Sequence, residues 1–355
     1  MTWRECSNEW CSLRSSGFNV QGCGLQVLTI TLNRRSTLNF EPKRPRLRFS
    51  MKPKIVVILG PTAAGKSDVA MELALQMSGE IINADSQQVY RQMNIGTAKP
   101  SRRECETVPH HLIDIVDPDE EFNVARYREL AAAGVHDIQK KGKPAIVCGG
   151  TGLYIKALTR GLFVGPAQDA EIRAALTLEA SVNGLRSLYE RLERVDPSAT
   201  SWIHPNDRQR IIRALEVYQL TGRPMSEWQR QHGFNEGPFE TLKIGLYRDR
   251  AELYALIDER CDRMIEDGLL DEMKALCAKG YSLDLKPLRG VGYKHVGLFL
   301  KGEMGLEEAV FLMKRDTRRL AKRQLTWFRS DKEIRWFHPE LEQAKITGIV
   351  EAFLH

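Results

Sequence analysis

No apolar run in the sequence is long enough to cross a bilayer. The best, from Val27 to Leu32, falls far short of the roughly 18 to 20 residues a spanning helix requires. A transmembrane protein is therefore excluded. There is no Cys-x-x-Cys pair and no Cys/His spacing suited to zinc. Seven cysteines, an odd number in 355 residues, read as buried thiols of a reducing compartment, and the cytoplasm is the expected location. Glycine and proline, at 27 and 15, are too few for a fibrous chain, and 42% hydrophobic residues are too many for a disordered one. A global electrostatic field is also missing. The net charge is +6, but residues 1–50 hold eight Lys and Arg against three acids, which leaves the remainder near neutral. Any nucleic-acid contact must therefore come from local basic patches.

What is present begins abruptly at residue 51. Residues 1–50 show neither helical nor strand periodicity and end in Pro42-Lys43-Arg44-Pro45-Arg46. Three readings compete for them: an upstream start with Met51 as the true first residue, an Arg- and Ser-rich transit peptide, or a nucleic-acid-binding arm. The first is preferred, and none carries chemistry.

The β-branched run Ile55-Val-Val-Ile-Leu59 predicts a buried parallel strand. It leads into Gly60, Pro61, Thr62, Ala63, Ala64, Gly65, Lys66 and Ser67, and then into a helical pattern over 68–77 with Val69, Leu73 and Met77 on one face. This is the full G-x-x-x-x-G-K-[ST] pattern in a strand–loop–helix setting. By chance it would arise in a chain of this length on the order of 1% of the time. The glycines let backbone N–H groups converge on a polyphosphate, Lys66 adds a point charge, and the Ser67 hydroxyl is placed to meet Mg²⁺.

An ordinary ATPase would follow with a buried strand ending in a metal-binding Asp. The run Leu112-Ile-Asp-Ile-Val-Asp117 is short and meets Pro118 at once. The better strand, Ala145-Ile-Val-Cys148, ends instead in Gly149-Gly-Thr-Gly-Leu-Tyr154. Such an end admits a flat ligand or close backbone and offers the Thr151 hydroxyl, although a tight strand-to-helix turn explains it equally. Another predicted strand, Glu80-Ile-Ile-Asn83, delivers Asp85 beside the phosphate loop. Asp85 is a candidate general base, with a helix N-cap as the plainer alternative.

Taken in order, residues 60–67, Asp85-Ser-Gln-Gln-Val-Tyr-Arg-Gln-Met-Asn-Ile-Gly-Thr-Ala-Lys-Pro100, Val108-Pro-His-His-Leu-Ile-Asp114 and Gly149-Gly-Thr-Gly-Leu-Tyr154 resemble the motifs of the tRNA dimethylallyltransferases. That family is also called the tRNA delta(2)-isopentenylpyrophosphate transferases. The resemblance continues through Asn206-Asp-Arg-Gln-Arg-Ile-Ile-Arg-Ala-Leu-Glu216, Leu288-Arg-Gly-Val-Gly-Tyr-Lys294 and Arg319-Leu-Ala-Lys-Arg-Gln-Leu-Thr-Trp-Phe-Arg329. It covers roughly residues 52–329, and without a C-terminal zinc-finger spacing it points to the bacterial type.

The resemblance implies transfer of a dimethylallyl group from its diphosphate to N6 of adenosine 37 in the tRNA anticodon stem-loop. The enzyme would be a Mg²⁺-dependent monomer. Asp85 would be the base and Thr151 would orient the target nucleotide. The residues on the loop 60–67 would hold the diphosphate, with the metal on Ser67. Further tRNA contacts are implied for Ser86, Gln87, Gln88, Arg173, Gln209, Arg210, Ile211, Ile212 and Arg213. A solvated helix face remains the alternative for residues 209–213. A basic run with interleaved aromatics, Arg315, Arg318, Arg319, Lys322, Arg323 and Arg329 with Trp327 and Phe328, suits RNA phosphates and bases. The plainer reading, a charged amphipathic helix with Leu320 and Trp327 facing the core, is compatible with that role. His110 and His111 read as structural.

The expected fold is α/β: a P-loop NTPase-like parallel sheet in residues 51–165 and 239–330, interrupted by a helical insertion at 166–238 that grips the anticodon stem-loop. A strand over 243–247, one long helix over 252–276 and a C-terminal tail at 331–355 complete it. A small-molecule kinase, a prenyltransferase acting on free adenylate and a non-catalytic RNA-binding module are the rivals. ATP is expected to bind the loop weakly, without being a substrate.

Overall fold

The computed structural model describes residues 52–161, 165–166, 168–232 and 237–355. The readings of residues 1–50 lie outside the described residues. Six strands, β1 (Lys54–Leu59), β2 (Glu80–Asn83), β3 (His110–His111), β4 (Ala145–Gly149), β5 (Glu240–Leu246) and β6 (Arg335–Phe337), form one all-parallel sheet in the order β3-β2-β4-β1-β5-β6.

Strands β1, β2 and β4 are Val- and Ile-rich because both faces are covered. The period of two divides β1 between two cores. Ile55, Val57 and Leu59 face one cluster. It is shared with α3 (Val124–Lys140), α4 (Gly152–Arg160), α9 (Arg250–Glu266), α10 (Leu269–Ala278), α11 (Tyr293–Leu300) and α12 (Leu306–Arg329). Val56 and Ile58 face α1 (Lys66–Gln76) and α13 (Gln343–Leu354), through Val69, Leu73, Ile346 and Val350. Fully burying each such aliphatic side chain is worth about 1.5–3 kcal/mol, so β1 anchors both layers. A short helix, α2 (Arg102–Thr107), begins at a Ser101/Glu104 capping box.

Between β4 and β5 lie α5 (Ala170–Val182), α6 (Leu185–Val195), α7 (Arg208–Thr221) and α8 (Met225–His232). They carry their own apolar cluster, with Leu176, Leu188, Leu192, Ile203, Ile211 and Leu215 at its centre.

Three expectations need correction. The long helix over 252–276 is two helices, because Gly268 adopts φ 99° and ends α9 before α10 begins. Residues 331–355 are no tail. They supply β6, which pairs with β5, and α13, which covers one face of the sheet. The predicted strand over 243–247 starts three residues earlier and ends one earlier.

Candidate active site

The carboxyl ends of β1, β2 and β4 converge, where open α/β sheets place their ligand crevice. The loop of residues 60–67 joins β1 to α1. Gly60 has φ +151°, and a Cβ there would lie 2.7 Å from the Leu246 carbonyl oxygen, so only glycine can leave β1 this close to β5. Ala63 and Gly65 are left-handed, at φ 62° and 86°. Such positions let successive N–H groups gather around an anion. Lys66 Nζ donates to the Pro61 carbonyl oxygen at 2.7 Å, across the loop, and makes no ion pair among the described residues. Burial pushes its ammonium down to about 8. The Asp85 carboxylate resists that shift, while Arg260 adds to it. Cys148 itself is pushed up to about 12 by burial and stays a thiol.

A cleft of about 1190 Å³ opens from residues 65–68 along Asn94, Ile95, Ala98, Lys99, Leu256, Arg260, Arg263 and Met264. Arg260, on α9, makes no ion pair among the described residues. Burial pushes its guanidinium down and Asp85 opposes this. Two desolvated cations with only the distant charge of Asp85 and no ion-pair contact among the described residues are a site prepared for a ligand's negative charge. Arg248 also lines the cleft, but Glu252 and Glu340 hold it. Arg260 is not among the residues expected from the sequence. Its signal is an arginine four residues from both Leu256 and Met264, on what should be an apolar helical stripe.

Gln324 falls within the last of the resemblance motifs, which gives it no role. From α12 it ties two loops of the site together. Its Oε1 accepts from Thr62 N at 2.9 Å, and its Nε2 donates to the Gly150 carbonyl oxygen at 3.0 Å.

Asp85 and Thr151 lie together on adjacent strand ends. Ser86 N donates to Thr151 Oγ1 at 3.0 Å, and Thr151 N donates to the Ala84 carbonyl oxygen at 3.1 Å. Gly149 has no room for a side chain, since its Cβ would lie 2.2 Å from the Ala84 carbonyl. Asp85 is not a helix N-cap, because a turn follows it and the next helix begins at Arg102. Instead its Oδ1 accepts from Gln87 N at 2.8 Å, while Oδ2 has no hydrogen bond among the described residues. A carboxylate held by one oxygen and open at the other can accept a proton. The Gln87 Oε1 atom is buried and unpaired. Gln88 is already engaged, with Nε2 donating to the Thr97 and Ala98 carbonyls. Arg91 and Lys99 are likewise paired, with Asp117 and Asp114.

The residues expected to meet RNA in the insertion divide sharply. Arg173 and Arg213 both reach the buried Glu216 carboxylate, at 3.1 and 2.9 Å. Burial alone would raise Glu216, but its hydrogen bonds from Arg213, Asp169 N and Arg173 hold it below the usual range. Ile211 and Ile212 are buried in the helical core and cannot touch RNA as placed, which corrects that expectation. Gln209 and Arg210 are exposed at the start of α7, with Arg210 3.3 Å from Asp207. On α12, Arg318 pairs with Asp258, and Arg315 and Arg319 pair with Asp316. Lys322, Arg323 and Arg329 are exposed and make no ion pair among the described residues. Phe328, not Trp327, is the core residue; Trp327 is 39% exposed and its indole abuts Gly152. Leu320 is half-buried. His111 binds Glu80 at 2.8 Å and His110 the Val108 carbonyl at 2.8 Å, so both are structural.

Among the described residues, no three His, Cys, Asp or Glu side chains are arranged to hold a metal. A Mg²⁺ carried mainly by diphosphate oxygens and water asks little of a protein. The exposed Ser67 hydroxyl, on the cleft wall, fits that demand.

Comparison with known proteins places the chain among relatives of one family and fold. The family model for IPP transferase matches residues 88–331. A tRNA dimethylallyltransferase of Syntrophobacter fumaroxidans is 53% identical over 296 residues, covering 83% of this chain and 86% of that one. One from Geobacter metallireducens is 49% identical over 304 residues, covering 86% and 98%. Among solved structures, the full-length tRNA isopentenylpyrophosphate transferase of Bacillus halodurans has a TM-score of 0.64 at 39% identity, covering 85% of this chain and 97% of that one. A eukaryotic dimethylallyltransferase acting on tRNA has a TM-score of 0.71 at 30% identity, covering 84% and 77%.

Proposed function

Because the chain belongs to the IPP transferase family, we propose that it transfers a dimethylallyl group from dimethylallyl diphosphate to N6 of adenosine 37 in tRNA and releases diphosphate. The observation that carries this reading is the meeting of two strand ends on either side of β4. β1 runs into a phosphate loop whose Lys66, like Arg260 on α9, has no ion pair among the described residues, and β2 delivers Asp85 with a free carboxylate oxygen.

The reaction needs negative charge stabilised on the departing diphosphate and a proton removed from a weakly nucleophilic exocyclic amine. The loop N–H groups, Lys66 and Arg260 are suited to the first task. Their electrostatic effect is enlarged by the desolvation that lowers both side chains. Asp85 is suited to the second, with Oδ1 fixed by Gln87 N and Oδ2 left to accept. Thr151 Oγ1 accepts from Ser86 N and keeps its own proton to donate toward the incoming nucleotide. Mg²⁺ on the Ser67 hydroxyl would add Lewis-acid charge at the diphosphate.

The adenosine must leave the anticodon stack to reach Asp85, at a cost of a few kcal/mol that protein contacts must offset. Ser86 and Gln87 at the site, the exposed Gln209 and Arg210 on α7, and Lys322 and Arg323 on α12 are suited to supply them, Arg210 by exchanging its pair with Asp207 for a phosphate. Both halves of the site come from one chain, which supports a monomer as the working unit beside tRNA in the cytoplasm.

The test offers radiolabelled dimethylallyl diphosphate and Mg²⁺ to the full chain with an unmodified anticodon stem-loop and AMP side by side, without ATP. Label on the stem-loop alone is the expected result. Label on AMP instead would point to a free-adenylate enzyme. Phosphate transfer on adding ATP, with no label on either acceptor, would point to a kinase.

A further inference from the structure

Glu272 lies on α10, outside the cleft lining, yet its carboxylate accepts from three consecutive backbone N–H groups of the facing loop. Asn94 N and Ile95 N each donate to Oε2 at 2.8 Å, and Gly96 N donates to Oε1 at 3.1 Å. The Tyr293 hydroxyl from α11 donates to Oε1 at 2.6 Å. Successive N–H groups turned toward one point form an anion nest, here filled by the protein's own side chain.

The loop so held is otherwise costly. Gln92 and Ala98 are left-handed without being glycine, at φ 65° and 45°. Backbone of that kind persists only where its surroundings fix it. Gly96 is pressed against Tyr293, leaving 2.5 Å between the ring and any added Cβ. Lys99 closes the far end by donating to the Tyr90 carbonyl, Asn94 Oδ1 and Asp114 Oδ1.

Ile95 and Ala98 from this loop, with Leu256 and Met264 from α9, give apolar lining to the same cleft that Lys66 and Ser67 enter. Gln88 holds the same loop through the Thr97 and Ala98 carbonyls, and the loop residues Ile95 and Ala98 line the cleft. The loop therefore supplies part of the wall of the cleft into which the phosphate loop opens.

We propose that Glu272 is a positioning residue for the prenyl donor. By pinning residues 94–96 it holds the apolar wall on which the dimethylallyl chain packs, while the phosphate loop holds the diphosphate. This rests on the prenyl-transfer reading above.

The experiment compares Glu272→Gln and Tyr293→Phe with the parent enzyme. The amide of the Gln variant turns N–H against N–H, whereas the Phe variant keeps all three backbone bonds and removes one donor. Steady-state assays read KM for dimethylallyl diphosphate, KM for the stem-loop and kcat. Inhibition by inorganic diphosphate reads the phosphate loop alone. The expected result for Glu272→Gln is a KM for dimethylallyl diphosphate about tenfold higher, the scale on which a specificity pocket registers one apolar group. The other three quantities hold, and Tyr293→Phe moves the same KM less. Should Glu272→Gln not fold, Tyr293→Phe decides alone. Equal weakening of inorganic diphosphate and dimethylallyl diphosphate would mean a general structural role and overturn the proposal, as would an unchanged KM. A parent that transfers no prenyl group overturns the functional reading and this proposal together; an active parent matched by its variants overturns this one alone.

Discussion

The cleft and the helical insertion treat positive charge in opposite ways. In the insertion, folding consumes several arginines: Arg173 and Arg213 close on Glu216, Arg191 on Glu179 and Arg223 on Glu227. In the cleft, Lys66 and Arg260 are desolvated with no carboxylate paired to them among the described residues. A protein bears that cost where a ligand will bring the counter-charge. Paired arginines are evidence about stability, and unpaired, half-buried cations in a cleft are evidence about binding.

The largest expected effect tests the chemical side of the comparison. Asp85→Asn keeps the shape and the Gln87 N–H acceptor but removes the proton acceptor. It should lower kcat by about a thousandfold, within the range of general-base catalysis. Filter binding of the stem-loop should change little. A matching drop in binding would make Asp85 a docking residue only.

Next is the structural side. Glu216→Ala leaves two arginine side chains converging on an empty buried position. It should cost about 3 kcal/mol in urea unfolding, the usual penalty for removing one partner of a buried pair. A cost below about 1 kcal/mol, the level of an exposed pair, would mean that water already screens this cluster.

Lys66→Met inverts that sign. In the free protein the folded state holds the lysine proton less tightly than the unfolded chain, with Lys66 near 8 against an ordinary 10.5. The unfolded chain therefore binds more protons between those values, and stability should rise as pH climbs through that window. Removing the charge should stabilise the protein by on the order of 1–2 kcal/mol at neutral pH while abolishing transfer. In the parent enzyme, KM for dimethylallyl diphosphate should climb above pH 8 as the ammonium is deprotonated. Thermal melts across pH 7–10, parent against variant, read the stability effect; a variant with the parent's pH slope would remove Lys66 as its source.

How far these features were legible depends on the range over which each is specified. The phosphate loop and the buried strands are local patterns, and residues 60–67, 80–83 and 145–149 announce themselves by β-branched runs and spacing. Strand β6 is only Arg335-Trp-Phe337, too short for alternation to register, and its pairing with β5 is a long-range fact. Gly268 inside an amphipathic pattern looks tolerable until its left-handed φ ends the helix. A resemblance transfers positions but not helix faces. Ile211 and Ile212 accompany Gln209 and Arg210 in the motif, yet a turn of 100° per residue sends them to the core. Glu272 was illegible because its partners are backbone N–H groups 176 to 178 residues away, which leave no mark on composition.

The smallest effect decides whether the same rule extends to α12. Lys322 is exposed and makes no ion pair among the described residues, whereas Arg318, four residues earlier, is held by Asp258 on α9. If unpaired charge marks the binding surface, Lys322→Ala should weaken stem-loop binding modestly at low salt. It should also reduce the slope of log affinity against log salt by about 1, as expected when one phosphate is no longer neutralised by the protein. Arg318→Ala removes equal formal charge from the same helix but should leave that slope unchanged and lower stability instead. Binding isotherms at several salt concentrations, paired with urea melts of both variants, separate the two. Equal slopes for the two variants would mean that RNA opens the Arg318–Asp258 pair on binding, and a protein-side partner would then no longer mark an arginine as structural.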